Sequence, residues 1–202
     1  MKIEIANIED VPELLKLHDK AFFAIAAEVD WLDAPGLKES LEQAREDFPK
    51  YMTLKMLSDD GKIVGSVRGR VEDGSLYIGR LMVLPECQGK GYGKILFREI
   101  QRRLPHNRAW LFTCGEVRRI VSFYEREGFR TFHTERFENG HTWVSMEKSK
   151  SGDHSPSCNN FSNSVRYPAI SSSCMMVVIL LPASFEDAPQ WKSFSVSVPK
   201  SR

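Results

Sequence analysis

Three glycines within five residues, Gly89, Gly91 and Gly93, stand where a strand-like run ending Leu81-Met82-Val83 passes through Pro85 into an amphipathic stretch beginning at Tyr92. An interior glycine weakens a helix by about 1 kcal/mol relative to alanine, so such a cluster implies a compensating use. Without a Cβ, backbone N–H groups can close on a phosphate, and the dipole and unpaired N–H groups of a helix start favour negative charge. Lys90, Lys94 and Arg98 add cations nearby. The chemistry this spacing offers is polyphosphate binding. A mononucleotide loop, GxxxxGK followed by Ser or Thr, does not fit, because Ile95 follows Lys94 and Gln88 stands at the leading glycine. A dinucleotide GxGxxG needs glycine where Lys94 or Leu96 stands, and fails too. The pattern present is Gln88-x-x-Gly91-x-Gly93, preceded by Val83-x-Pro85.

Other reactive residue types are less well placed. His18 falls on an apolar helical stripe and reads as a core or boundary histidine. His133 and His141 fall in late strand-like runs with no partner at metal-ligand spacing. Cys87 adjoins the glycine turn, but no neighbouring His or Asp supports an activated thiolate. The four cysteines, Cys87, Cys114, Cys158 and Cys174, show neither CxxC nor CxxH spacing and are too few for a disulfide scaffold. No metal and a reducing compartment are expected. Val117, Ile120, Val121 and Tyr124 follow i, i+3, i+4, i+7 spacing, which puts Tyr124 on the buried stripe of a helix.

The elements that must position these residues are legible in the first 150 positions. Lys2–Ile8 alternates as a strand, and Asp10 with Glu13 has the form of a capping box opening a helix. That helix carries Val11, Leu14, Leu15, His18, Phe22 and Ile25 on one face; a second carries Leu37, Leu41, Ala44 and Phe48 and stops at Pro49. Runs at 51–57, 62–71 and 76–83 are separated by Asp60-Gly61 and Asp73-Gly74, which predicts an antiparallel meander. Then follow a helix over 92–104, a strand over 109–113, a helix over 117–127 closed by Gly128, and strands over 129–137 and 142–147 around Asn139-Gly140. A strand, helix, strand unit inside such a meander implies one parallel pair in a mixed sheet.

Composition changes near residue 150. Residues 151–202 hold 7 of 55 charged residues but 13 of 20 serines and 5 of 10 prolines, and show no sustained period. Too little apolar surface is available there to offset chain entropy, so residues 1–150 are read as the domain and 151–202 as a disordered or loosely attached tail. The apolar run Cys174–Leu181 is too short to span a bilayer and reads as an added strand, an interaction peptide or an aggregation hazard. Across the chain, 28 Lys and Arg against 27 Asp and Glu leave a formal charge of +1, which argues against a nucleic-acid partner. MKIEIANIED lacks a signal-peptide core, and no run approaches the ~20 apolar residues of a membrane span. A cytoplasmic protein with no membrane partner is expected.

From about Lys2 to Lys148 the chain resembles the GCN5-related N-acetyltransferase (GNAT) superfamily. The resemblance rests on Gln88-x-x-Gly91-x-Gly93 after Val83-x-Pro85, on YIGRLMV before the loop, LFT on the next strand, FYEREGF at the end of the following helix, and the order of elements. It implies an α/β fold, with a mixed, mostly antiparallel twisted sheet flanked by helices. It also implies a bulge in the strand at 76–83, which splays from the strand at 109–113. Acetyl-CoA is then the co-substrate: Leu81, Met82 and Val83 contact pantetheine and thioester, while Gln88, Gly89, Lys90, Gly91, Tyr92, Gly93 and Lys94 hold the pyrophosphate. Tyr124 matches the tyrosine that protonates the leaving thiolate, and the acceptor is an amine on a small molecule or peptide, attacking within a ternary complex.

Two departures stand against this pattern. CGEVRRIV at 114–121 offers no small polar amide to the cofactor, and YIGRLMV has no carboxylate to act as base. Glu28, Asp30, Glu72 and Asp73 are substitutes by composition only, and Glu28, Asp30 and Asp33 could favour a cationic acceptor. The alternatives are a non-catalytic acyl-CoA sensor, and an interaction protein acting through its tail. A homodimer stays open.

Overall fold

The computed structural model describes residues 1–34 and 36–150. The expectations placed on 151–202, a disordered or loosely attached tail and the three readings of Cys174–Leu181, lie outside the described residues.

The Asp-Gly dipeptides set the meander. Asp73 and Gly74 both adopt positive φ (+48° and +72°), the conformation a tight hairpin turn requires. Strands β2 (Met52–Leu57), β3 (Ile63–Glu72) and β4 (Ser75–Val83) therefore pair antiparallel, with β1 (Lys2–Ile5) antiparallel on the outer edge of β2. The next connection passes through a helix, and β5 (Arg108–Cys114) returns parallel to β4. The hairpin β6 (Arg130–Arg136) and β7 (Thr142–Ser149) then adds β7 antiparallel to β5, giving a seven-stranded sheet in the order β1-β2-β3-β4-β5-β7-β6. This is the mixed α/β architecture expected.

The helices are α1 (Val11–Glu28), α2 (Leu41–Asp47), α3 (Tyr92–Arg103) and α4 (Arg118–Arg126). Leu96, Phe97 and Ile100 of α3 and Val121 and Tyr124 of α4 pack with Leu76, Ile78, Ala109, Leu111 and Met146 in the main core. Leu14, Leu17 and Ala21 of α1 pack with Met82 in a second cluster. Helices thus cover both faces. Phe97 is fully buried, in ring contact with Phe123, Tyr124 and Phe129, and truncating it to alanine should cost about 3–5 kcal/mol. No described helix is long and apolar enough to cross a membrane.

Two local expectations are corrected. The first strand ends at Ile5, and the capping box lies one turn earlier than its sequence signature: Asn7 accepts from Glu9 N, while Asp10 accepts from Asn7 N. Asp10 is held by Lys55 at 2.7 Å, and Glu13 accepts from Ile63 N at 3.1 Å. Glu13 is thus engaged by a long-range partner, while Asp10 serves as the far member of the earlier box and also holds Lys55. The second helix begins at Leu41, because Ser40 and Gln43 form its capping box; Leu37 belongs to the connector.

Candidate active site

The apolar residues of β4 are spaced two, three and two apart: Leu76, Ile78, Leu81, Val83. A regular strand cannot keep all four on one face. The structure resolves this with a bulge, since Arg68 pairs with Gly79 and Ser66 with Met82, so β4 spends one residue more than β3 over the same interval. Arg80 takes up the excess at φ +49°, a conformation strained for a side chain with a Cβ. Leu81 and Val83 consequently rejoin the α3 side of the core, while Arg80 and Met82 turn to the α1 side. Arg80 reaches the connector before α2, where Nη1 and Nη2 hold the two Glu39 oxygens at 2.5 and 2.7 Å.

Beyond the bulge β4 leaves β5. Their ladder consists of Ser75↔Arg108, Leu76↔Ala109 and Tyr77↔Trp110 and ends there, whereas β5 continues to Cys114 on β7 and β4 continues to Val83 on β3. The β5-facing main chain of Leu81, Met82 and Val83 lies outside that ladder. This is the splay the resemblance implied.

The glycine turn sits at the end of β4. Gly89 and Gly91 adopt φ of +77° and +80°, and a Cβ at either would meet nothing within 4 Å, so their backbone faces open space. Gly91 is the N-terminal boundary of α3 and no side chain caps the helix, which leaves first-turn N–H groups for an external acceptor. Gln88 donates from Nε2 to Val83 O at 3.1 Å and so ties the turn to the strand. Lys94 is 3.7 Å from Glu127, whose carboxylate is also gripped by Arg98 at 2.8 Å. Lys90 and Lys94 are exposed, and Tyr92 and Gly93 are partly buried. An uncapped, glycine-lined helix start beside a strand gap fits a diphosphate with a narrow chain attached.

Tyr124 is buried, 5.3 Å from the Phe97 ring by centroids. Burial, and then the nearby Tyr77 phenol, push its hydroxyl well above the usual tyrosine range. Tyr77 belongs to the last pair before the splay.

The opposite face of the opening is aromatic. Alternation that sends Leu76, Ala109 and Leu111 into the core sends Tyr77, Trp110 and Phe112 the other way. Tyr77 lies 4.9 Å from Trp110 and 6.0 Å from Phe112, and Phe112 lies 5.2 Å from Trp143. Trp31, from the connector after α1, is buried and stacks on His141 at 4.5 Å. Next to it, Cys114 and Thr142 donate to the two Glu116 oxygens at 3.1 and 2.8 Å. Burial works to raise the Glu116 carboxyl, but these bonds outweigh it and hold it below the usual range; burial and the same bond push Cys114 up to about 11.

Other sequence candidates are engaged in ion pairs, turns or the core. Glu28 is paired with Arg119 at 2.5 Å, and Asp30, at φ +55°, terminates α1. Glu72 and Asp73 lie at the β3–β4 turn, at the far end of β4 from the splay. His18 is buried and stacked on Phe22 at 4.6 Å, as a core histidine. No group of three metal-ligating side chains occurs among the described residues. Sequence reasoning missed Arg80, Glu39 and Glu116. The two-three-two apolar spacing signalled the bulge, whereas nothing local links Glu116 to Thr142, which β5–β7 pairing brings together.

Comparison with known proteins gives concordant results. The family model for the acetyltransferase (GNAT) domain matches residues 34–150. An S-alkylcysteine N-acetyltransferase of Bacillus subtilis (strain 168) is 25% identical over 158 residues, covering 71% of this chain and 86% of its own. Solved structures that share the fold include three acetyltransferases. A ribosomal-protein-alanine N-acetyltransferase from Brucella melitensis has a TM-score of 0.58 at 18% identity, covering 74% of this chain and 100% of that one. An N-acetyltransferase from Thermoplasma acidophilum in complex with coenzyme A has 0.57 at 20%, covering 74% and 100%. An acetyltransferase described as putative, from Salmonella typhimurium with acetyl-CoA, has 0.58 at 16%, covering 78% and 98%.

Proposed function

The chain belongs to the GNAT acetyltransferase family, and from that membership we propose direct acetyl transfer from acetyl-CoA to the amine of a small acceptor with an apolar side group. Dependence on acetyl-CoA and N-acetylation in general come with the family. One observation carries the proposal: the β4–β5 opening has an uncapped glycine turn at its rim and an aromatic strip on one face.

Acetyl-CoA supplies an acyl thioester, whose carbonyl an uncharged amine can attack. The main chain of Gly89 to Lys94 binds the diphosphate through first-turn N–H groups, assisted by Lys90 and Lys94. Gln88 positions that turn by its bond to Val83 O. The main chain of Leu81, Met82 and Val83, freed from β5 by the splay, binds the chain that leads into the opening. Tyr124 holds its proton at neutral pH, because burial disfavours the phenolate, and it can donate from Oη to sulfur. Tyr77, Trp110, Phe112 and Trp143 receive the apolar part of the acceptor and exclude water. A small acceptor with an apolar group agrees with the relative named for S-alkylcysteine.

The test is release of free thiol from acetyl-CoA across a panel of amines, beside calorimetric titration with coenzyme A. Release with apolar amines supports the reading. Tight binding of acetyl-CoA with no release on any amine overturns it in favour of a sensor.

A further inference from the structure

Arg68 is only 5% exposed, yet its guanidinium is poorly neutralised. Nε has no hydrogen-bond partner, and the bond it makes with a carboxylate, from Nη1 to Asp47 Oδ2, is long at 3.4 Å. Asp47 is shared, since Lys50 holds its other oxygen at 2.9 Å. The next carboxylate, Glu39, has both oxygens engaged by Arg80. Removing a guanidinium from water without full pairing is costly, and a buried charge in that state invites an anion. Burial, and then the Arg80 charge, lower the Arg68 pKa, as expected for a cation short of counter-charge.

Arg68 borders a cavity of about 40 Å3, also lined by Leu14, Phe48, Thr53, Ser66, Arg80 and Met82. A water needs roughly 10–15 Å3 of such space, so the cavity admits a group of carboxylate size and excludes a ring. Its place in the sheet matters. Arg68 pairs with Gly79, two residues past the last β4–β5 pair, and the cavity includes the bulge residue Arg80. The guanidinium lies 4.1 Å over the Tyr51 ring, which is 6.3 Å from Tyr77, so the aromatic strip runs from Arg68 to the opening.

We propose that Arg68 receives a carboxylate carried by the acceptor close to its amine, which makes the preferred acceptor an amino acid with an apolar side chain. This inference rests on the acetyl-transfer reading above. One under-paired guanidinium matches one negative charge, and Asp47 and Glu39 nearby repel a dianion such as phosphate. The bidentate geometry of guanidinium with carboxylate supplies orientation as well as attraction.

The experiment compares L-phenylalanine, phenylalaninamide and phenethylamine as acceptors, with coenzyme A titration first on every variant. In the wild-type chain kcat/KM for phenylalanine should exceed that for phenethylamine by about tenfold or more, with phenylalaninamide low, a factor within what one charged hydrogen bond supplies. Arg68→Met should collapse the ratio to near one, and Arg68→Lys should retain part of it. A wild-type ratio near one, or an unchanged ratio in Arg68→Met, overturns the proposal; the wild-type comparison stands even if Arg68→Met fails to fold. Thermal denaturation of the coenzyme A complex separates the two readings. If no amine is acetylated but phenylalanine still stabilises the wild type more than phenethylamine and Arg68→Lys weakens this, the transfer reading fails and the carboxylate site stands. If amines are acetylated without that preference, the carboxylate site fails alone.

Discussion

Arg80 occupies a left-handed backbone conformation at the β4 bulge while its guanidinium forks onto Glu39, whose side chain is 1% exposed. The ion pair holds a strained residue in the position that separates β4 from β5. Breaking a buried pair by removing one partner costs about 3–5 kcal/mol, because the other charge is left uncompensated. Glu39→Gln should therefore lower the urea midpoint strongly. Arg80→Gly relieves the backbone strain but orphans Glu39, and should also destabilise, while the double variant recovers part of the loss. Additive losses in the cycle would show that the two side chains do not act as a pair.

Gly91→Asp should separate folding from binding. An aspartate at the start of α3 complements the helix dipole, and the site has room for it, so stability should change by about 1 kcal/mol or less despite the positive φ. The same carboxylate repels a diphosphate. Calorimetry with coenzyme A should show at least about a hundredfold weaker binding, comparable to losing two charge-assisted bonds; retained affinity would remove this turn from the binding site.

Tyr124→Phe removes the hydroxyl but keeps the ring packed against Phe97, Phe123 and Phe129, so stability should change little. Turnover should fall about tenfold or more if that hydroxyl delivers a proton, with coenzyme A affinity little changed. Because the phenol pKa is raised, Tyr124 should contribute no descending limb to the kcat profile between pH 7 and 10. Unaltered kcat in the variant would return Tyr124 to a packing role.

His18 makes stability sensitive to mild acid. Burial, with the Arg80 charge second, lowers its folded pKa below 6.5. The unfolded chain then binds a proton near pH 6.5 that the folded chain refuses until lower pH, so stability declines as pH falls through that window. Urea midpoints at pH 7.5 and 5.5 should differ more for the wild type than for His18→Asn. Equal slopes would mean that the folded protein accepts the proton without penalty.

Much of this was written in local sequence. Asp73-Gly74 and Asn139-Gly140 placed the hairpins, because positive φ is a property of one or two residues. The α4 stripe fixed which face is buried, so Tyr124 could be assigned to the core from period alone. The glycine turn was legible for the same reason: Gly89 and Gly91 need only their own backbone freedom to expose N–H groups at a helix start.

Capping was misread at Asp10 and Glu13 because a carboxylate chooses among partners, and Lys55 and Ile63 N become neighbours only once the sheet has formed. Glu116 became an anchored carboxylate through Thr142, 26 positions away, and Arg68 met Asp47 and Tyr51 only through β2–β3 pairing and the segment that precedes it. Local chain chemistry thus determined turns, helix faces and the glycine turn before α3, each set by the conformational limits of a few adjacent residues. Tertiary structure decided which charges are paired, which are buried short of a partner, and where two strands part, since those depend on desolvation and on distances between segments remote in sequence.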